Sequence, residues 1–155
     1  MSKSIDYVKL AISIIVCQLA GIIGSVFTAD SVSTWYTELI KPSFNPPNWL
    51  FGPVWISLYI LMGISLYLVW SKSKNGVAMM IFFIQLALNT IWSIIFFGLK
   101  MPGLAFIEII FLWAVILLTI VQFHKIHRVS AYLLIPYILW VSFAALLNLA
   151  IYILN

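Results

Sequence analysis

The sequence predicts an all-α integral membrane protein, a bundle of five transmembrane helices with a long structured first loop. The first observation is composition: 65% of the 155 residues are hydrophobic and 8% are charged, against about a quarter charged in soluble domains. The second is a mean hydropathy of +1.15. A chain this short cannot hide so many apolar side chains, because small domains keep much of their surface exposed. Lipid must therefore cover the outside.

The third observation is five apolar stretches of about 20 residues, the length that crosses a bilayer. The predicted spans are about 7–28, 53–70, 77–97, 104–123 and 131–154. Short connections between the last four make successive helices antiparallel neighbours. Pro136 is expected to kink the fifth span. We treat 1–155 as one domain, in which residues 29–52 form the first loop.

The basic residues predict the orientation of the bundle. Six fall on the N-terminal side and two on the other: Lys3, Lys9, Lys72, Lys74, Lys125 and Arg128 against Lys41 and Lys100. Lys and Arg concentrate in short cytoplasmic loops, so a cytoplasmic N-terminus in a multi-pass protein of the cell membrane is expected. The net charge of +4 arises because acidic residues are scarce, four against eight Lys and Arg, and not from a basic patch in the sequence. Nucleic acid is therefore not an expected partner, and one cysteine supports neither a disulfide framework nor a metal cluster.

The first loop is long enough to be functional. Asp30 or Ser31 is predicted to cap a short helix that ends near Ile40. Four prolines then forbid regular helix and favour stiff, extended backbone, and aromatic residues alternate with them: Pro42, Pro46, Pro47 and Pro53, with Trp35, Tyr36, Phe44, Trp49 and Phe51. Two interpretations stay open, an aromatic belt at the lipid headgroups and a rigid aromatic lid over one end of the bundle. Composition alone favours the belt.

Several spans carry side chains at helical spacing that predict inward faces. Amides in hydrocarbon must be paired, so the third-span stripe should face inward, as a site or as interhelical contacts. A stripe of small residues in the first span indicates close packing, either within the bundle or between protomers. The two stripes are Gln85, Asn89, Trp92 and Phe96, and Cys17, Gly21, Gly24, Ser25 and Thr28.

Three blocks of sequence carry a family resemblance. They are WYTELIKPSFNPPNWLFGPVWISLYILMGISLYLVW (35–70), QLALNTIWSIIFFG (85–98) and PYILWVSFAALLNLAIYILN (136–155). The chain resembles the translocator protein family, whose members are also called tryptophan-rich sensory proteins or peripheral-type benzodiazepine receptors. The resemblance covers nearly the whole chain and implies five spans.

The resemblance implies a membrane protein that binds a tetrapyrrole, especially protoporphyrin, and ligands such as PK11195 between the spans beneath the first loop. It implies a homodimer without a resident cofactor or metal. Carried over residue by residue, the implied ligand-binding positions are Ser25, Tyr36, Pro46, Trp49, Phe51, Trp55, Asn89, Trp92, Trp140, Ala144 and Leu147.

Three functions follow as hypotheses. The first is tetrapyrrole binding with light-dependent oxidative breakdown of the pigment, in which Trp55 and Trp140 would be the redox residues because an excited porphyrin can take an electron from an indole. The second is a transporter of porphyrin or another amphipathic molecule. The third is a ligand-responsive membrane sensor.

Overall fold

The computed structural model describes residues 5–155, which are almost entirely helical. Five segments are long and apolar enough to cross a membrane, α6 and α7 together making the fifth, so the predicted fold class is confirmed. The elements are α1 (Tyr7–Ser33), α2 (Trp35–Glu38), α3 (Asn48–Lys72), α4 (Gly76–Ser93), a π-helical turn (Ile94–Gly98), α5 (Pro102–Ile126), α6 (Arg128–Leu133) and α7 (Ile135–Leu154).

The spans form a ring. α1 packs against both α3 and α4, and α5 packs against α4 and α7. α6 packs against α5 and α3 and thereby closes the ring at the end that carries the start of α1. We call this the N-terminal end and the opposite end, covered by the first loop, the loop end. At the loop end α3 and α7 lie on either side of the cavity described below.

The first loop is shorter than predicted because both flanking helices extend into it. α1 continues to Ser33, so the prediction that Asp30 or Ser31 caps a separate helix is wrong. The Ser31 hydroxyl instead donates to the carbonyl of Phe97 at 2.7 Å, which fastens the end of α1 to the π-helical turn. The predicted short helix exists as α2 and ends at Glu38.

The third helix also begins earlier than predicted. Pro47 precedes its first residue, and Pro53 lies inside the helix, although we expected Pro53 to exclude regular helix on its N-terminal side. A proline removes the bond to the carbonyl four residues before it, which here is Trp49, within the first turn. Because that carbonyl lies close to the helix end, the helix tolerates the proline.

The break in the fifth span falls where it was expected. α6 ends at Leu133 and α7 begins at Ile135, with Pro136 in its first turn. Leu134 donates its N–H to the carbonyl of Ala131 at 3.1 Å, a three-residue spacing that tightens the chain at the junction. The predicted kink at Pro136 is confirmed.

Part of the small-residue stripe of α1 packs within the bundle: Cys17 and Gly24 are buried, whereas Ser25 is exposed. Cys17 is fully buried, and a Cβ added at Gly21 would lie 2.5 Å from the ring of Tyr59. On the facing helix, a Cβ at Gly63 would lie 2.6 Å from Cα of Ile14. Glycine therefore allows α1 and α3 to approach closely on both sides of their contact.

The order of the helices puts most of the basic residues at one end of the bundle, as the predicted orientation requires. At the N-terminal end lie Lys9, Lys72, Lys74, Lys125 and Arg128, and at the loop end lie Lys41 and Lys100. Lys3 lies outside the described residues. The cytoplasmic assignment of the N-terminal end stays a prediction.

Candidate ligand-binding cavity

A cavity of about 330 Å³ lies at the loop end of the bundle. α1, α2, α3, the end of α4 with its π-helical turn, and α7 all contribute side chains to it. Its volume is at the lower end of the range of about 300–1,000 Å³ that small-molecule sites occupy. The space is therefore large enough for a ligand.

Aromatic rings dominate the lining. Side chains one helical turn apart share a face, so α3 and α7 each present several side chains to the cavity. Trp92 stacks on Phe96 with ring centroids 5.2 Å apart, and Phe51 meets the edge of Trp140 at 6.1 Å. Stacked and edge-to-face arrangements are the favoured contacts of aromatic rings. The aromatic lining residues are Tyr36, Phe51, Trp55, Tyr59, Trp92, Phe96, Phe97 and Trp140.

A buried polar cluster supports this lining from behind. Tyr59 donates its hydroxyl to Oδ1 of Asn89 at 2.9 Å, and Nδ2 of Asn89 donates to the hydroxyl of Tyr137 at 2.7 Å. The hydroxyl of Tyr137 in turn donates to Oε1 of Gln85 at 2.9 Å. The four side chains join α3, α4 and α7, and Nε2 of Gln85 is the one side-chain donor of the cluster without a partner among the described residues. The bond from Tyr59 to Asn89 fixes the Tyr59 ring at the base of the cavity.

A second amide fixes an indole of the lining. Nε1 of Trp92 donates to Oδ1 of Asn148 at 3.0 Å, and Nδ2 of Asn148 donates to the carbonyl of Pro102 at 2.7 Å. In contrast, Nε1 of Trp140 is buried without a hydrogen-bond partner among the described residues. Trp140 is therefore held in the lining by the packing of its ring against Phe51 and Phe143 and not by a hydrogen bond.

The lid consists of α2 and residues 39–47. Tyr36 is buried, and its hydroxyl donates to Oδ1 of Asn45 at 2.7 Å. Burial raises the pKa of Tyr36 to about 12. Asn155 holds the lid from the far end of the chain, since it accepts from the N–H of Ile40 and donates to its carbonyl, both at 2.9 Å. Of the two interpretations of the loop, these contacts support the lid, although composition alone favoured the belt.

The cavity opens on its side between α1 and α3. We call this opening the mouth, and its rim includes four exposed residues, Ile22, Ser25, Gly52 and Ile56. Just beside it, Nε2 of Gln18 donates to the carbonyl of Ile56 at 3.1 Å. Because both helices are membrane spans, the mouth faces the region that lipid occupies.

Comparison with known proteins agrees with this architecture. The TspO/MBR family model matches residues 13–154. The chain belongs to the TspO/MBR family. It is 47% identical over 152 residues to the tryptophan-rich protein TspO of Archaeoglobus fulgidus, covering 97% of this chain and 99% of that protein. It is 36% identical over 135 residues to the translocator protein of Homo sapiens, covering 84% and 80%, and 30% identical over 145 residues to the tryptophan-rich sensory protein of Cereibacter sphaeroides, covering 94% and 90%.

The structure of this TspO/MBR family member brings most of the predicted ligand-binding residues together. Eight of the eleven line the cavity: Ser25, Tyr36, Phe51, Trp55, Trp92, Trp140, Ala144 and Leu147. Both proposed redox residues, Trp55 and Trp140, are among them. Their contact with a ligand stays a prediction.

Three predicted positions lie away from the cavity lining. Trp49 is 72% exposed because α3 begins at Asn48, so that Trp49 already lies on the helix and on a different face from Trp55. Its position suits the aromatic belt. Pro46 lies in the lid, and the amide of Asn89 is occupied by two tyrosine hydroxyls. Asn89 therefore holds the lining in place and is not part of it.

Several residues of the cavity lining were not among the predicted ligand contacts. Tyr59, Phe96 and Asn148 share helical faces with predicted positions, so spacing could have identified them. Phe97 could not be found in this way, because the π-helical turn inserts an extra residue and brings Phe96 and Phe97 to the cavity together. Val32 lines the cavity only because α1 is longer than predicted.

Proposed function

We propose that the cavity binds a flat, largely apolar ligand, with protoporphyrin as the tetrapyrrole and PK11195 as a smaller ligand of the same site. The observation that supports this proposal is the aromatic lining, contributed by four separate parts of the fold and covered by the lid. A tetrapyrrole is a flat conjugated disc, and indole and phenyl rings offer it both stacked and edge contacts.

A porphyrin disc is large for a cavity of about 330 Å³, and the mouth allows part of it to extend between α1 and α3. The propionates would then lie at the headgroup level.

Binding is tested by absorbance titration of purified protein with protoporphyrin in darkness. Ala144→Phe fills part of the cavity and should weaken binding at least tenfold. Ala114→Phe is the matched control, because Ala114 lies exposed on α5 outside the cavity lining. Equal affinities of the two variants would refute binding in this cavity.

We further propose that bound porphyrin is oxidised under light with Trp55 and Trp140 as electron donors. One electron passes from an indole to the excited porphyrin, giving an indole radical cation and a porphyrin radical anion. Dioxygen adds to the radical anion, and the adduct returns one electron to the indole radical cation, which restores the indole. The neutral adduct then breaks its O–O bond and one ring C–C bond, leaving two carbonyl groups on the opened pigment. Dioxygen is the terminal oxidant of the pigment. Both indoles line the cavity, so either can contact the disc directly.

The redox step is tested by illuminating the complex in air and following the porphyrin absorbance. Trp55→Phe with Trp140→Phe keeps two aromatic rings but removes both indoles, and should slow the loss of pigment at least tenfold at saturating porphyrin. The control is Trp49→Phe with Trp113→Phe, since neither residue lines the cavity. Wild-type rates in the cavity double variant would refute the redox role while leaving the binding proposal intact.

We place this function in the cell membrane, with a cytoplasmic N-terminus and a homodimer as the working form. The distribution of basic residues supports the orientation, and the family resemblance supports the dimer. Accessibility labelling of single cysteines near Lys74 and Lys100 in intact cells tests the orientation. Crosslinking of purified protein at increasing dilution tests the dimer.

A further inference from the structure

The N-terminal end of the bundle carries a second concavity that the proposed function does not use. We call it the basic concavity. It lies where the end of α3 meets the connection from α5 to α6, and five of its seven lining residues have basic side chains: Lys72, His124, Lys125, Ile126, His127, Arg128 and Val129. Four of the five basic residues lie within positions 124–128. Folding adds Lys72, which is more than 50 residues away in sequence.

The charges of the basic concavity are not neutralised by the chain itself. Of the four acids in the sequence, three lie elsewhere, Asp30 and Glu38 at the loop end and Glu108 inside α5. The fourth, Asp6, pairs with Lys9 at 3.6 Å, which is the one ion pair among residues 5–155. Like charges gathered at one place repel one another, and an anion bound among them would remove that repulsion.

Two features place the basic concavity at the level of the lipid headgroups. Aromatic residues typical of that interface lie beside it. Trp70 lies at the end of α3, with its ring centroid 5.6 Å from Nζ of Lys9. Tyr132 contacts His124, and their ring centroids are 6.1 Å apart. Its wall also continues into exposed apolar surface, since Val129 is 51% exposed and Tyr132 57% exposed. A phosphate at this position would have room for acyl chains beside it.

We propose that the basic concavity binds the phosphate of an anionic phospholipid headgroup, with the acyl chains lying along α6. Lysine and arginine side chains form strong, charge-assisted hydrogen bonds with phosphate oxygens. A basic pocket between membrane helices is a recognised form of site for anionic headgroups. Apolar surface next to the phosphate position favours a lipid over free phosphate.

The test compares binding of phosphatidylglycerol and phosphatidylcholine to the purified full chain in neutral detergent, counted by native mass spectrometry. Wild type should bind the anionic lipid about a hundredfold more tightly, since Lys72, Lys125 and Arg128 each contribute roughly fivefold. Lys72→Gln with Lys125→Gln should reduce that preference about thirtyfold, since each basic residue near anionic lipid contributes roughly fivefold. The charge-matched control, Lys41→Gln with Lys100→Gln at the loop end, should keep the wild-type preference.

Three results would overturn the proposal. The first is an equal preference for the anionic lipid in the two double variants, because the site would then lie elsewhere. The second is the absence of any preference in wild type. The third is full displacement of phosphatidylglycerol by millimolar inorganic phosphate, which would assign the site to a free anion. Helical circular dichroism of each variant checks that all chains are folded.

Discussion

Gly63 lies where α3 crosses α1, and replacing it with alanine tests how closely these helices must approach. A Cβ at this position would lie 2.6 Å from Cα and 3.0 Å from the backbone nitrogen of Ile14. Since contacting carbon atoms lie about 3.5–4.0 Å apart, the helices would have to separate by about 1 Å. The nearest atom, Cα of Ile14, belongs to the backbone of α1, so a change of rotamer at Ile14 cannot relieve the contact.

The expected cost of Gly63→Ala is about 1–3 kcal/mol, the usual range for overpacking. For a chain of this size that corresponds to a melting temperature roughly 3–10 °C lower. The assay is thermal unfolding of purified protein in detergent, followed by circular dichroism. Gly52→Ala is the control in the same helix, because a Cβ there meets nothing within 4 Å and alanine favours helix. Equal melting temperatures of the two variants would refute the reasoning.

Three further predictions concern stability. Asn89→Leu leaves the hydroxyl of Tyr59 without its acceptor and should cost about 1–3 kcal/mol; a wild-type melting temperature would contradict this. Because burial raises the pKa of Tyr36 from 10.0 to about 12, the folded lid favours the neutral phenol, so its contribution to stability is complete below pH 10 and is lost as the pH rises through 12. Tyr36→Phe should abolish that alkaline loss, measured as protease sensitivity of the lid, and identical alkaline profiles would argue against it. Lys100 has a φ of 55°, a left-handed conformation that costs a non-glycine residue about 1–2 kcal/mol. Lys100→Gly should therefore raise the melting temperature. A lower melting temperature would exclude strain at this turn.

The number of spans and their inward faces could be predicted from the sequence because both depend on local patterns. Hydropathy over about 20 residues reports which stretches carry side chains that lipid accepts, and the cost of unpaired backbone in lipid makes those stretches helical. Helical spacing then reports which side chains share a face. The burial of Asn89 and the position of Trp140 in the cavity lining follow from these rules together.

The helix ends near the first loop could not be predicted in the same way. Residues at the headgroup level can be polar and still helical, so hydropathy gave no reason to extend α1 to Ser33. Tertiary contacts such as the bond from Ser31 to Phe97 favour the longer helix. Because α3 begins earlier than predicted, Trp49 lies outside the cavity lining. Because of the π-helical turn, Phe97 lies within it. Both shifts depend on neighbours distant in sequence.

The hydrogen bonds between Asn155 and Ile40 join residues 115 positions apart. Ile40 leaves the ribosome long before Asn155 does, and the two can meet only after α7 has inserted. During synthesis, the lid can therefore bind Asn155 only after α7 has been made. A nascent chain that lacks α7 therefore lacks both this contact and the α7 wall of the cavity.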